Sequence, residues 1–268
     1  MDAFFEKPVS EVMTTNLLMI DIKKKISDAV EMLCENNVGS LLIAREGKIF
    51  GVVSETDIVR EIVACGLAPG EITIEKLINR PPLSIDGTTS IKEAYYAMAL
   101  WKVRHLLVTD KGKEIGLISV RDILYAPGRR NRTIHHLSKE PIETIMTKNL
   151  VIVSGETTVS EAAKLMKERN IHALLVGSKE AISGILTEKD IIRKILKGNL
   201  DPKEVKVEEI MVVTLKTVYH STPIRKVYRE MGEEGVRHLV VVDSKGPVGM
   251  VSVTDLIRLE AQEAEGEI

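Results

Sequence analysis

Aromatic side chains are scarce in this chain of 268 residues, with three Phe, one Trp and five Tyr. That is too few for the stacking platforms that hold single-stranded nucleic acid. Cysteine is scarcer: Cys34 and Cys65 stand far apart and outside any CxxC. This excludes a disulfide framework or a thiolate zinc centre and fits a reducing, cytoplasmic setting. Neither sign of charge dominates, since 37 Lys and Arg meet 39 Asp and Glu for a net −2. A nucleic-acid partner is therefore not expected. No run of 18 residues lacks charge, and the N-terminus has no cationic stretch leading into an apolar one. Neither a transmembrane helix nor a signal peptide is expected. Also missing are a Walker A loop, GxSxG, HExxH and any His/Cys metal spacing. No catalytic or metal-ligating residue is assigned, and the chain reads as a protein that is not an enzyme.

What is present is a repeat. Gly, two apolar residues, Ser or Thr, two variable residues and Asp occur together four times, as Gly51–Asp57, Gly116–Asp122, Gly184–Asp190 and Gly249–Asp255. The aspartates are 65, 68 and 65 residues apart. Thirty-one residues before each Asp begins an apolar i, i+3, i+4, i+7 set. The sets are Ile26/Ala29/Val30/Leu33, Ile91/Ala94/Tyr95/Met98, Val159/Ala162/Ala163/Met166 and Ile224/Val227/Tyr228/Met231. That spacing is one face of an amphipathic helix. Ser90 with Glu93 and Thr158 with Glu161 have the spacing of capping boxes, and Pro223 suits a first helical turn.

Apolar runs at Val38–Ile43, Val103–Val108, Ile171–Val176 and Val236–Val242 read as buried strands. Short extended pieces at Leu18–Ile20, Leu83–Ile85, Val151–Val153 and Lys216–Val218 precede the helices, and a second helix follows each Asp. Each unit is therefore strand, helix, strand, strand, helix. Equal steps of 65 flanking one of 68 pair the units as first with second and third with fourth. Between the pairs lies the basic stretch Pro127–His136, a linker signal.

These residues resemble CBS (cystathionine beta-synthase) domains, four of them, covering nearly the whole chain. The arrangement is similar to the four-CBS class that includes the gamma subunit of AMP-activated protein kinase. The resemblance implies an α/β (α+β) fold: four CBS repeats forming two Bateman modules with pseudo-two-fold symmetry, arranged as a flat disc. The expected segments are 1–66, 67–127, 139–200 and 201–260, with a linker at 128–138 and an acidic tail at 261–268.

The resemblance also implies a regulatory protein that binds AMP, ADP or ATP in clefts between paired units. Asp57, Asp122, Asp190 and Asp255 would accept bonds from ribose hydroxyls. A carboxylate has two oxygens and can take vicinal hydroxyls together. Ser54, Ser119, Thr187 and Ser252 would orient the ribose or reach a phosphate. The blander reading is that Ser/Thr-x-x-Asp only caps the second helix. Arg104-His105, His172 and Arg237-His238 enter apolar runs at one register and would contact phosphates, while the first unit has Gly39-Ser40 there. Adjacent strand residues face opposite sides, so which member of each pair reaches a ligand stays open. The base would lie near Leu18, Leu83 and Val151, with Asp122 sharing a site with Leu18 and Asp255 with Val151. Lys216 takes the apolar place in the fourth unit. Arg60, Arg193 and Arg258, three residues after their Asp, read as surface ion pairs, and the second unit has Tyr125 at that place.

Two rival readings remain. One is an adenosyl ligand without phosphates, such as S-adenosylmethionine or methylthioadenosine. The other is a scaffold with degenerate sites. No catalytic cofactor or membrane is expected. The protein would be a monomeric disc or a homodimer acting on a protein partner that the sequence does not name.

Overall fold

The structure is a computed structural model that describes residues 4–78, 81–101, 103–124, 139–178, 181–256 and 259. The expected linker at 128–138 and tail at 261–268 lie outside the described residues, as do Tyr125 and Arg258. Four small sheets carry the fold, each of three strands. In the first repeat the strand Met19–Asp21 leads into the helix Ile26–Glu35, then the strands Ser40–Arg45 and Lys48–Ser54. The second repeat runs Ser84–Asp86, Ile91–Leu100, His105–Asp110 and Lys113–Ser119. The third runs Ile152–Val153, Val159–Arg169, Ala173–Gly177 and Ile182–Thr187. The fourth runs Thr217–Tyr219, Ile224–Glu234, His238–Asp243 and Gly246–Ser252.

In every sheet the first strand pairs parallel with the second, and the second antiparallel with the third. Parallel neighbours need a crossover, which the amphipathic helix supplies. In the first and second repeats the antiparallel pair closes by a tight turn. Glu46-Gly47 and Lys111-Gly112 both take positive φ, at 50° and 77° and at 50° and 78°. That is the two-residue turn whose twist matches its flanking strands.

All sixteen residues of the four helical sets are buried. The capping boxes at Ser90 and Thr158 form, while Pro223 caps its helix from just outside. The strands begin two residues later than the apolar runs. Val38, Ile171 and Val236 instead close the preceding helix, their amides donating to Leu33, Met166 and Met231 carbonyls. The residue before each is left-handed, Asn37, Asn170 and Gly235. This six-to-one helix ending draws its apolar residue into the core, which is why the run looks like strand.

A short helical lead-in precedes each repeat: Val9–Glu11, Ile74–Leu77, Ile142–Thr144 and Val207–Ile210. Each lies on the other repeat of its sequential pair. Lys7 O takes the amide of Ile91, and Ile72 O that of Ile26. Glu140 O takes the amide of Ile224, and Val205 O that of Val159. The first and second repeats thus exchange lead-ins, and so do the third and fourth. The exchange also explains the motif glycine. A Cβ on Gly116 would lie 2.3 Å from the Met13 sulfur, on Gly184 2.7 Å from that of Met211, and on Gly249 2.5 Å from that of Met146.

The chain divides into two compact units, in which each exchanged lead-in stays with the repeat it lies on. One holds residues 18–82 and 150–215, the first and third repeats. The other holds 1–17, 83–149 and 216–268, the second and fourth. One core joins Ile26, Val30 and Leu33 to Val159, Ala163 and Met166. The other joins Ile91, Tyr95 and Met98 to Ile224, Tyr228 and Met231.

Candidate functional site

The motif Ser or Thr ends the third strand in each repeat, and its Asp sits in the first turn that follows. In the first repeat Ser54 N and Oγ both donate to Asp57 Oδ2, at 2.8 and 2.6 Å. Ser119 does the same to Asp122 Oδ2 at 2.7 Å twice, Thr187 to Asp190 Oδ2 at 3.0 and 2.5 Å, and Ser252 to Asp255 Oδ2 at 2.8 and 2.7 Å. In return each Asp amide approaches the hydroxyl, as from Asp255 N to Ser252 Oγ at 3.3 Å. These are reciprocal helix caps.

The caps leave Oδ1 as the oxygen facing elsewhere. Among the described residues the Oδ1 atoms of Asp57 and Asp255 take no hydrogen bond or ion pair, whereas Asp190 Oδ1 lies 3.4 Å from Lys194 Nζ. Thr14 Oγ1, from the exchanged lead-in, approaches Asp122 Oδ1 at 3.5 Å. Burial pushes the Asp122 carboxyl above its ordinary range, against the opposing bonds from Ser119 and Thr14 and the charge of Arg121. A carboxylate whose second oxygen already takes two donors offers one free oxygen to a diol rather than two.

Strand register sorts the basic pairs. His105 lies directly across from Ser119 and His238 across from Ser252; Ser40 and Ala173 hold these places in the first and third repeats. The preceding residue sits beside the motif's next position instead. Arg104 O accepts from Val120 N at 3.1 Å, Arg237 O from Val253 N at 3.0 Å, His172 O from Glu188 N at 3.3 Å and Gly39 O from Glu55 N at 3.0 Å. In the unit of the second and fourth repeats, burial pushes His105 down to about 3, helped by the nearby charges of Arg104 and Arg237. Burial and the positive charge of two arginines from different repeats thus both favour the neutral imidazole.

The other unit fills the same register with acid. Glu188, 5% exposed, receives Thr56 Oγ1 at Oε2 (2.6 Å), and His172 Nδ1 stands 3.1 Å from both carboxylate oxygens. Arg60 Nε lies 3.6 Å from Oε1. The expected i,i+3 pairs of Arg60 and Arg193 with their aspartates do not form. Each Asp turns back to its cap, and the following turn is wound as a π-helix, Val59–Val63 and Ile191–Leu196, which takes the arginine off that face. Arg60 Nη1 instead donates to Asn170 Oδ1 at 2.7 Å, and Arg193 Nη2 to Asn37 Oδ1 at 2.6 Å. The two asparagines are the left-handed residues that end the crossover helices.

Leu18, Leu83, Val151 and Lys216 hold parallel register, their carbonyls taking the amides of Leu42, Leu107, Leu175 and Val240. The Lys216 head is turned to Glu234, 2.5 Å away. Leu18 and Val151 belong to one unit and Asp122 and Asp255 to the other. Sequence reasoning missed Glu55, Glu188, Asn37, Asn170 and Thr14. The only local signal was the alternation after the motif Ser or Thr: Glu55, Val120, Glu188, Val253. Among the described residues no group of His, Cys, Asp and Glu could hold a metal ion, and no helix is long and apolar enough to cross a membrane.

The sequence profile of the CBS domain matches residues 9–64, 74–129, 142–197 and 207–261. The chain belongs to the CBS-domain family. Its CBS repeats are similar to those of the CBS domain-containing protein CBSCBSPB3 of Arabidopsis thaliana, 24% identical over 90% of this chain and 50% of that protein. The chain spans about half the length of the curated relatives it matches over most of its own length. Protein MJ1225 of Methanocaldococcus jannaschii, proposed as an archaeal homolog of g-AMPK, has the same fold. Its TM-score is 0.78 at 18% identity, covering 94% of this chain and 99% of that one. A conserved protein of Pyrococcus horikoshii aligns with a TM-score of 0.62 at 22% identity over 94% of this chain and 99% of its own.

Proposed function

We propose that this four-CBS protein is a regulatory binder of AMP, ADP or ATP. Pairs of CBS domains typically bind adenosine-containing ligands, and CBS proteins of this type are generally regulatory rather than catalytic. The observation that carries the phosphate part of the reading is the shared register of Arg104-His105 and Arg237-His238 beside the motif Ser119 and Ser252, with the charges of both arginines felt at His105. A cationic, partly buried register with valine at the neighbouring motif position suits a phosphate, which a guanidinium holds through two parallel bonds. The aspartate Oδ1 atoms would take a ribose hydroxyl. Occupancy would shift the populations of conformations that a partner protein reads.

The test is calorimetry with AMP, ADP, ATP, adenosine and S-adenosylmethionine on one sample. Arg237→Gln should lower AMP affinity by about 10-fold, the loss of one charge-assisted contact, and leave adenosine affinity nearly unchanged. Added salt should weaken AMP binding more in the parent than in the variant. An unchanged AMP-to-adenosine ratio in both Arg237→Gln and Arg104→Gln would remove the phosphate role. A second reading, an adenosyl ligand without phosphates, is favoured by Glu55 and Glu188 in the other unit. It predicts stronger binding of S-adenosylmethionine than of AMP. No binding by any of the five would leave a scaffold.

A further inference from the structure

The two units treat one register in opposite ways. Where the strand residue is Arg104 or Arg237, the residue beside it is Val120 or Val253; where it is His172, the neighbour is Glu188. Glu188 is almost fully buried and gathers a hydroxyl from the first repeat, the His172 ring and the approach of Arg60. Its carboxylate does there what a bound phosphate oxygen would do: it stands between the Thr56 hydroxyl and Arg60 of the first repeat and the His172 ring of the third. The Nε and Nη2 edge of the Arg60 guanidinium is buried and makes no hydrogen bond, with Glu188 Oε1 the facing acceptor at 3.6 Å. That edge is the fork with which arginine grips carboxylate or phosphate.

We propose that Glu188 is a built-in anion: it occupies the cations of the first-and-third-repeat unit and so bars phosphate from them, confining phosphate binding to the second-and-fourth-repeat unit. The proposal rests on the reading of Arg104 and Arg237 as phosphate contacts. Its physical basis is charge. A phosphate entering beside Glu188 would bring two anions together at low local polarity, whereas Val120 and Val253 put no charge at that position.

Exchange of the register tests this. In Glu188→Val with His172→Arg, the third repeat copies the Arg–Val pair of the second and fourth. Calorimetry should then count additional inorganic phosphate and additional AMP per chain relative to the parent. In the reverse exchange, Val120→Glu, AMP affinity should fall ~10-fold while adenosine affinity holds. Glu188→Gln keeps the volume and an acceptor for Thr56, so it provides a folded sample if the valine variant does not melt cooperatively. Inorganic phosphate should raise its melting temperature by more than it raises the parent's.

An unchanged number of phosphates bound per chain in the folded Glu188 variants overturns the proposal, whatever the parent binds. Absence of AMP binding to the parent, with phosphate gained by the Glu188 variants, instead sinks the nucleotide reading and leaves Glu188 as an excluding anion. Equal AMP affinity in the parent and in Val120→Glu also overturns it, because a carboxylate at this register would then not exclude phosphate.

Discussion

At the scale of single residues, the same atoms serve fold and ligand, and the two uses can be separated. Asp57 Oδ2 caps a helix start, so Asp57→Ala should cost about 0.5–2 kcal/mol of stability even without ligand. Asp57→Asn should cost less, since it keeps an oxygen for the Ser54 amide and hydroxyl. Urea unfolding of the three ligand-free proteins checks this; equal midpoints would deny the cap its energetic role. His105 makes a pH prediction. Its pKa in the fold is pushed to about 3, below the ordinary value of about 6.5 in an unfolded chain. As pH falls, the unfolded chain takes the proton first. The neutral ring's contribution is therefore complete above about pH 6.5 and is lost as pH drops towards 3. His105→Gln, which carries no such proton, should lose less stability than the parent between about pH 7 and pH 5. A parallel loss in both proteins would mean that burial and the charges of Arg104 and Arg237 do not hold the ring neutral. A histidine contact to phosphate here is a neutral one, with no protonation step near pH 6.5.

At the scale of elements, the exchanged lead-ins decide what the motif glycine is for. Gly116 has an ordinary backbone; its missing side chain is room for Met13. Gly116→Ala should destabilise the protein by about 1–3 kcal/mol, the usual cost of overpacking. Adding Met13→Ala should recover part of that loss, because the clash is with a flexible side chain. Non-additive melting temperatures in this double-mutant cycle would establish the contact, and strictly additive ones would refute it. Thr14, two positions along in helix-free chain from Val12, reaches Asp122 from the same lead-in. The lead-in of one repeat thereby touches the candidate ribose acceptor of another.

At the scale of the whole molecule, neither apolar core is contained in one half of the chain. Each joins helices from before and after the segment 125–138. A fragment of residues 1–138 keeps two whole repeats and their exchanged lead-ins, but bares both helix faces: Ile26, Val30 and Leu33, and Ile91, Tyr95 and Met98. Exposed apolar faces of that kind associate. The fragment should elute as a dimer or larger species in light-scattering chromatography while the full chain stays smaller per copy. A monomeric fragment with a cooperative melt would show that the sequential pairs are stable without these cores.

The sequence by itself determined the repeat, its strand and helix order, the buried face of each crossover helix and the motif Ser/Thr and Asp. These are local or periodic, and periodicity survives in one dimension. Helix ends were misread as strand because Val38 and Ile171 are apolar for either purpose. Only the tertiary structure decided which repeats share a core, since a buried helix face does not name the face it meets. Only it brought the charge of Arg237 near His105, Arg60 to Asn170 and Glu188 to Thr56, pairs more than 100 residues apart. The alternation of Glu and Val beside the motif was in the sequence throughout. Its meaning lies in charge, and charge acts through the distances that folding creates.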